Sequence, residues 1–596
     1  MPLPPTPNSS PRTPSTGRAA PRIRLLALLG TLGVAACGSP PPPILLISVD
    51  TLRADRLSSY GYHRPTPAID ALAAEGVLFE EAHSAAPWTL PSHASMLTGQ
   101  YPSHHGVVEP DHRLGPQIPT VAEALRDEGY QTAGFASHVY LEKNYGLDRG
   151  FETYEVLPYR NDPYGARRGD EVVDAATSWV MTADPARPFF LFVHLFDPHW
   201  TYRAPKPYLG RYSSDYTGPM DGTLPAVTHF MTRPISDEHL NHVLNLYDEE
   251  IAWTDELVDR LVSRVKARRP ETVVVLTADH GEEFKEHDAM GHAVTLYREQ
   301  SHIPLIVSTP GATPQRVETP VRGLDVAPTI AALAAVPEGH PLRAGSDGQV
   351  LVNSDGSAAR VTPQPVIIET SRWGPLRAAA LWKGQRAYTA DEYVWLGHRK
   401  VDGKVVRTPV GTWSHPARIF DVRSDPHEST PLPYDPTNDA ARALEFWRER
   451  FWRGVHLEIR SPAKVTVELS LSDPVHWFDE PRVEASDKLL EAPHDDRGVG
   501  PFPIPPDEPT QVWLPIDHDD TRALTIKILQ GPMPDTTFIL ADLIDPIIDG
   551  GSASESDPAS GYTIRLRPFS DISDGKIVEI SEEQRRRLEA LGYIGG

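Results

Sequence analysis

Four near-continuous apolar runs constrain this chain more than anything else in it: Ile44–Val49, Phe189–Leu195, Thr272–Leu276 and Ile303–Val307. Each is too short for a buried helix and lacks the alternation of a half-exposed strand. Such runs suit parallel strands covered on both faces. A further short strand is expected at Thr132–Ser137. Helical spacing separates the runs: from Asp70 to Gly76, from Ile118 to Gly129, from Asp248 to Arg268 and from Asp325 to Leu333. In the third, Leu257, Val258, Leu261, Val262 and Val265 recur on one face. Strands alternating with helices predict an α/β fold with a doubly wound, mostly parallel sheet. With 596 residues there is ample chain for that unit and at least one more domain.

The polar residues that follow the runs matter as much. Asp50 stands after the first, Asp197-Pro198-His199 after the second, and Asp279-His280 just beyond the third. Ligands bind at that edge of an open α/β sheet. Thr89 joins them from the stretch Pro87–Gly99, which reads as a strained turn entering a short helix. Pro87 and Pro91 oppose helix at the residues before them, and Gly99 ends it. A hydroxyl at Thr89 then sits where free backbone N–H groups favour an anion. Asp50, Asp279 and His280 offer hard oxygens and an imidazole. With the Thr89 oxygen they form a four-ligand set for one divalent cation, which would stabilise the Thr89 alkoxide. Other residues have plainer readings. His194 lies within an apolar strand and is expected to be a packed core histidine. His287 and His302 are expected to be structural or solvent-facing. Arg53 either meets a bound anion or pairs with Asp55.

The motif Thr89-x-Pro91-Ser92-His93-Ala94-Ser95-x-Leu97-Thr98-Gly99 resembles the nucleophile motif of the sulfatase family, within the alkaline phosphatase superfamily. Gly146–Tyr154, Asp197-Pro198-His199 and Arg418–Glu428 resemble further stretches of that family, so the likeness spans roughly residues 44–432. It implies an alkaline phosphatase-like sheet with a small antiparallel C-terminal subdomain, and the same metal ligands, Asp50, Thr89, Asp279 and His280. Departures are informative. Sulfatases place a Cys or Ser, oxidised to formylglycine, where Thr89 stands, and an Arg where His93 stands. Threonine cannot form that aldehyde. The Thr-x-Pro-Ser-His form is closer to nucleotide pyrophosphatase/phosphodiesterases, and phosphoethanolamine transferases also use Thr. Thr51 replaces a second Asp of the calcium-binding sulfatases and His280 replaces an Asn. That exchange favours zinc or manganese over calcium, with one or two ions per chain. The resemblance makes His199 and His292 either contacts and proton donors to the transferred group or ligands of a second metal, for which Asp197 is the nearest carboxylate. The expected activity is cleavage of phosphate or sulfate esters by a Thr89 nucleophile through a covalent intermediate. A group transferase of the phosphoethanolamine type and a non-catalytic glycan-binding lipoprotein are the alternatives.

Composition narrows the partners. A formal net charge of −24 argues against nucleic acid, leaving a small-molecule, glycan or lipid ester as substrate. The single cysteine, Cys37, excludes an intrachain disulfide and a cysteine metal site. A basic leader and the apolar run Leu25–Ala36, too short to span a bilayer, read as an export signal. Val34-Ala35-Ala36-Cys37 resembles a bacterial lipobox, implying a lipidated Cys37 and an exported, membrane-anchored protein of the cell envelope. Residues 1–37 are thus the signal and 38–43 a proline-rich linker. Residues 44–335 are the catalytic domain, and 336–432 a link and the small subdomain. Alternating strands predict a β-sandwich-like accessory domain at 450–575. A capping box at Ser581 opens a terminal helix and tail, 581–596.

Overall fold

The computed structural model describes residues 41–157, 169–213, 215–231, 233–372, 377–401 and 404–451, and eleven strands with a few flanking residues between 455 and 567. The leader, Cys37 and the terminal helix lie outside the described residues.

In chain order the strands of the first domain are β1 (Ile44–Val49), β2 (Gly76–His83), β3 (Gln131–Ala136), β4 (Thr153–Val156), β5 (Phe189–Leu195) and β6 (Val273–Ala278). A two-residue hairpin follows, β7 (Glu283–Phe284) with β8 (Met290–Gly291), then β9 (His302–Ser308), β10 (Gln315–Val317) and β11 (Val321–Arg322). All but the hairpin form one sheet of order β10-β2-β9-β6-β1-β5-β3-β4, with β11 also on β2. β9 runs antiparallel to β2 and β6, and every other pairing is parallel. Every residue of β1, β5 and β6 is buried, as their unbroken apolar runs require.

Several boundaries differ from the sequence expectation. β2 was not foreseen because Glu80 and Glu81 interrupt its apolar pattern, and the helix before it runs Pro67–Ala73. The second helix is Val121–Asp127, opened by a Thr120/Glu123 capping box. The long helix begins at Asp237 rather than Asp248, capped by the Ser236 hydroxyl, which accepts from His239 N. A further helix not signalled by the sequence pattern, Leu224–Phe230, lies between β5 and this long helix.

Residues Val366–Thr370, Arg377–Trp382, Gln385–Tyr388 and Arg418–Asp421 form a four-stranded antiparallel sheet, the expected small subdomain. It also carries a long hairpin, Asp391–Val401 with Lys404–His415. Its core is shared with the first domain: Ile367, Ala378 and Leu444 cluster with Ala85, Tyr101 and Leu324. The C-terminal strands form antiparallel sheets of six and five strands, with buried Val465, Val467 and Leu469 alternating along one strand as the sequence pattern requires.

A buried ion pair within the subdomain is tied to the first domain through its carboxylate. Arg386 Nη1 lies 3.4 Å from Glu428 Oε2, and Tyr388 Oη donates to Glu428 Oε1 at 2.7 Å. The backbone N–H of Arg298 donates to Glu428 Oε2 at 2.9 Å. Glu428→Ala strands a buried guanidinium and is expected to destabilise the protein by about 3–5 kcal/mol. A urea midpoint equal to that of the wild type would remove this brace from the account.

Candidate active site

Strand register places the acids. Val49 of β1 pairs with Ala278 of β6, so the next residues, Asp50 and Asp279, leave the sheet side by side. On the other flank Ser48 pairs with His194 of β5. Thr89 is the first residue of the helix Thr89–Thr98, preceded by the extended N-cap Trp88. The Ser92 hydroxyl donates to the Asp279 carbonyl at 2.6 Å, tying that helix to the end of β6. The four expected metal ligands are all fully buried and do come together. Thr89 Oγ1 lies 3.5 Å from His280 Nε2, which is 3.5 Å from Asp279 Oδ2 and 3.7 Å from Asp50 Oδ1.

Hydrogen bonding shows what this cluster lacks. His280 Nδ1–H donates to the Gly281 carbonyl at 2.9 Å, so its Nε2 lone pair faces the carboxylates. Asp279 Oδ1 accepts from the N–H groups of His280 (2.9 Å) and Thr51 (3.2 Å). Among the described residues, Asp50 Oδ1 and Oδ2 and Asp279 Oδ2 have no hydrogen-bond partner, and neither has the buried Thr51 hydroxyl. Burial and the adjacent Asp279 hold the Asp50 carboxyl well above its ordinary range. Acceptors converging on acceptors without a donor are the donor set of a divalent cation, and Asp50, Asp279, His280 and Thr89 fit one.

Around this set stand more imidazoles. His199 Nδ1–H donates to the Trp200 carbonyl at 2.7 Å, and its ring centroid lies 5.0 Å from that of His292. His292 in turn lies 4.5 Å from His280. The Ala293 N–H, next to His292, donates to the Pro87 carbonyl at 2.9 Å, which sets His292 against the turn before Thr89. His199 and His292 therefore stand beside the ligand set, as expected. Glu282 was missed. Its Oε1 is 2.9 Å from His292 Nδ1, its Oε2 accepts from Tyr202 Oη at 3.1 Å, and burial pushes its carboxyl up to about 8. A carboxyl in a run of acids after Asp279-His280 carries no periodic signal, and only the fold turns it inward.

The plainer readings fare differently from one residue to the next. His194 is buried, as a core histidine would be, but its Nε2 is 3.4 Å from Asp50 Oδ2. A strand whose far end meets the site exposes its last inward residues to it, and that was the available signal. Arg53 pairs with both Asp55 (2.7 Å) and Glu286 (2.6 Å), so the pairing reading holds. The Asp197 carboxylate faces Gly169, where an added Cβ would come 2.8 Å from its Oδ2, and Glu282 is the carboxylate that meets His292. His287 stacks on Tyr297, and His302 bonds the Glu80 carbonyl at 2.8 Å, both structural.

Comparison with known proteins finds likeness to sulfatases. The family model "Sulfatase" matches residues 42–336. The chain is 25% identical over 465 residues to the "Uncharacterized sulfatase YidJ" of Escherichia coli (strain K12), covering 69% of this chain and 90% of that protein. It is 24% identical to the choline-sulfatase of Rhizobium meliloti (strain 1021), covering 67% of this chain and 84% of the relative. Among solved structures, the phosphonate monoester hydrolase of Agrobacterium radiobacter shares the fold at a TM-score of 0.53 and 21% identity, covering 69% of this chain and 94% of that one. A protein solved in complex with its substrate D-glucosamine-2-N,6-O-disulfate does so at 0.55 and 16% identity, covering 69% and 98%.

Electrostatics give the site a thermal signature. The raised Asp50 pKa means that metal-free protein loses stability as pH climbs above the unfolded carboxyl value of about 3.9. Asp50→Asn removes that loss, so at pH 8 the metal-free variant is expected to melt no lower than metal-free wild type. Zinc or manganese at a hundredfold over Kd should stabilise only the wild type, by about 2.7 kcal/mol. Equal stabilisation of both proteins in a thermal melt would place the ion elsewhere.

Proposed function

The chain belongs to the sulfatase family, and on that footing we propose that it is a metal-dependent hydrolase of phosphate or sulfate esters with the Thr89 hydroxyl as nucleophile. The supporting observation is the meeting of the Thr89 oxygen and the His280 Nε2 lone pair with three buried carboxylate oxygens, Asp50 Oδ1 and Oδ2 and Asp279 Oδ2, that no hydrogen-bond donor meets among the described residues. When bound through Asp50, Thr89, Asp279 and His280, a divalent cation lowers the pKa of the hydroxyl and offsets charge on the transferred group. The donor set favours zinc or manganese.

Thr89 Oγ1 attacks the phosphorus or sulfur in line with the ester oxygen. Its proton passes to an imidazole nitrogen of His199 or His292. Both rings stand beside the ligand set, and burial with the neighbouring His280 keeps His292 uncharged and able to accept a proton. The bond from phosphorus or sulfur to the leaving oxygen breaks, and that oxygen departs as an alcohol with the same proton. A threonine ester remains until water attacks it, which breaks the bond to Thr89 Oγ1, releases inorganic phosphate or sulfate (a phosphomonoester where the substrate is a diester) and returns a proton to Thr89. Glu282 holds the His292 ring through Nδ1. Backbone N–H groups at the start of the helix Thr89–Thr98 face the developing charge.

Threonine cannot become the formylglycine of sulfate-cleaving relatives, which favours a phosphate ester or diester. The D-glucosamine disulfate substrate bound by one structural neighbour favours a carbohydrate carrier for the ester. We place the protein on the cell envelope through Cys37, with residues 450–575 as an accessory β-domain. Thr89→Ala is expected to lower turnover of aryl phosphate, phosphodiester and aryl sulfate at least about a thousandfold, while Thr89→Ser keeps measurable activity. A panel of these substrates, assayed with zinc and manganese restored after chelation, decides. Full activity in Thr89→Ala would discard the nucleophile.

A further inference from the structure

The groups behind the ligand set carry an inference that rests on the cation reading above. His93 and His194 are fully buried, and each faces one of the two carboxylates. His93 Nδ1 lies 3.5 Å from Asp279 Oδ2, and His194 Nε2 lies 3.4 Å from Asp50 Oδ2. Their rings meet edge to face at 5.1 Å. With Asp279 they also form a group whose ligand atoms lie within 4.8 Å of one another. Two roles therefore compete: ligands of a second cation, or N–H donors to the ligands of the first.

For His93 the hydrogen bonds decide. Nδ1 is 2.8 Å from the Thr89 carbonyl oxygen, which only accepts, so Nδ1 carries the proton. Nε2 then accepts from the Ser48 hydroxyl at 3.0 Å. No lone pair is left for an ion, and the nitrogen that carries the proton is the one standing 3.5 Å from Asp279 Oδ2, just outside a formed hydrogen bond. For His194 neither ring nitrogen has a hydrogen-bond partner among the described residues. A neutral imidazole always carries one N–H, and an unpaired buried N–H is unfavourable. Asp50 Oδ2, itself unpartnered, is the acceptor set beside it. Placing the proton on Nε2 satisfies both groups with one small closure of distance. It also holds Oδ2 of Asp50 and leaves Oδ1 turned towards His280 Nε2.

We propose that His93 and His194 are a pair of positioning residues, each giving one N–H to one metal-binding carboxylate. His93 additionally ties the backbone of Thr89 to Asp279. Uncharged donors orient the carboxylates without cancelling the charge that binds the ion, as an arginine there would.

Amide side chains test the donor positions separately, because glutamine places an N–H near Nε2 and asparagine near Nδ1. Zinc and manganese dissociation constants of the full chain are measured by chelator competition, with bound-ion stoichiometry and the metal-free melting temperature. His194→Gln and His93→Asn are expected to bind within about threefold of wild type. His194→Phe and His93→Phe should weaken binding about 10- to 100-fold, and metal-free melting of the Gln and Asn variants should stay near wild type. If His194→Gln binds as weakly as His194→Phe, or if wild type holds two ions and His194→Phe one, the imidazole is a ligand and the proposal is overturned. Wild-type binding that none of the variants changes also overturns it, while leaving the cation reading intact. A wild type that binds neither ion sinks both.

Discussion

Everything in the site depends on holding two carboxylates together where water cannot reach them. Asp50 and Asp279 offer oxygens within 4.8 Å of each other, fully buried. At an effective dielectric of 20, unit charges at that distance repel by roughly 3 kcal/mol, on top of several kcal/mol of lost hydration per ion. Local chain preference would not create such a pair. It exists because β1 and β6 are adjacent parallel strands in fixed register, packed on both faces, so that residues 50 and 279 have nowhere else to go. The sheet's apolar core thus supports an arrangement whose own electrostatics oppose it. A divalent cation reverses the sign of that opposition, which is why the same geometry that costs the metal-free protein stability makes a strong binding site.

Imidazoles complete the site where a family relative would use a cation or an amide. His93, His194, His138, His199, His292 and His280 form a continuous run of buried rings, with successive centroids 5.1, 6.1, 6.1, 5.0 and 4.5 Å apart. Burial is the main cause that lowers His93 and His194 to about 4, so these rings are neutral at physiological pH. A neutral imidazole donates from one nitrogen and accepts at the other, and the backbone chooses which. The Thr89, Gly281 and Trp200 carbonyls each take an Nδ1–H, from His93, His280 and His199 respectively. Tyr140 N donates to His138 Nδ1 instead, which leaves that ring's proton on Nε2. In four of the six rings the tautomer is thereby assigned by main-chain groups, without adding net charge beside the nucleophile.

Much of this was legible from the chain alone, and the reasons differ by residue. β1, β5 and β6 announced themselves because burial on both faces leaves an unbroken apolar run. Asp50, Thr89, Asp279 and His280 were legible because they stand at the ends of such runs or in a proline-marked turn. β2 was not, since its solvent-side glutamates break the run without forming an alternation. The antiparallel sense of β9 is equally invisible: its composition matches its parallel neighbours, and direction is set by how the chain returns after the hairpin β7-β8. His194 and Glu282 were missed for a common reason. A polar residue inside a strand or an acidic run looks like packing or solvation until the neighbouring strand supplies what it faces.

The small subdomain belongs to the site rather than beside it. Ala293, one residue past His292, has φ of 81°, a left-handed conformation that a residue with a Cβ adopts at a cost of about 1–3 kcal/mol. Two hydrogen bonds hold it there. Its N–H donates to the Pro87 carbonyl in the nucleophile turn, and its carbonyl accepts from Thr370 Oγ1 at 3.0 Å, at the end of a subdomain strand. Glu369, the residue before, takes the Ser103 N–H at 3.1 Å and the Trp447 indole N–H at 2.8 Å, and its own N–H donates to the Ala85 carbonyl. The strand bearing Thr370 is therefore anchored on both sides of the nucleophile helix. Strain at Ala293 persists only while both partners hold, so the direction in which His292 faces is determined jointly by the nucleophile turn and by a strand some seventy-five residues further along the chain.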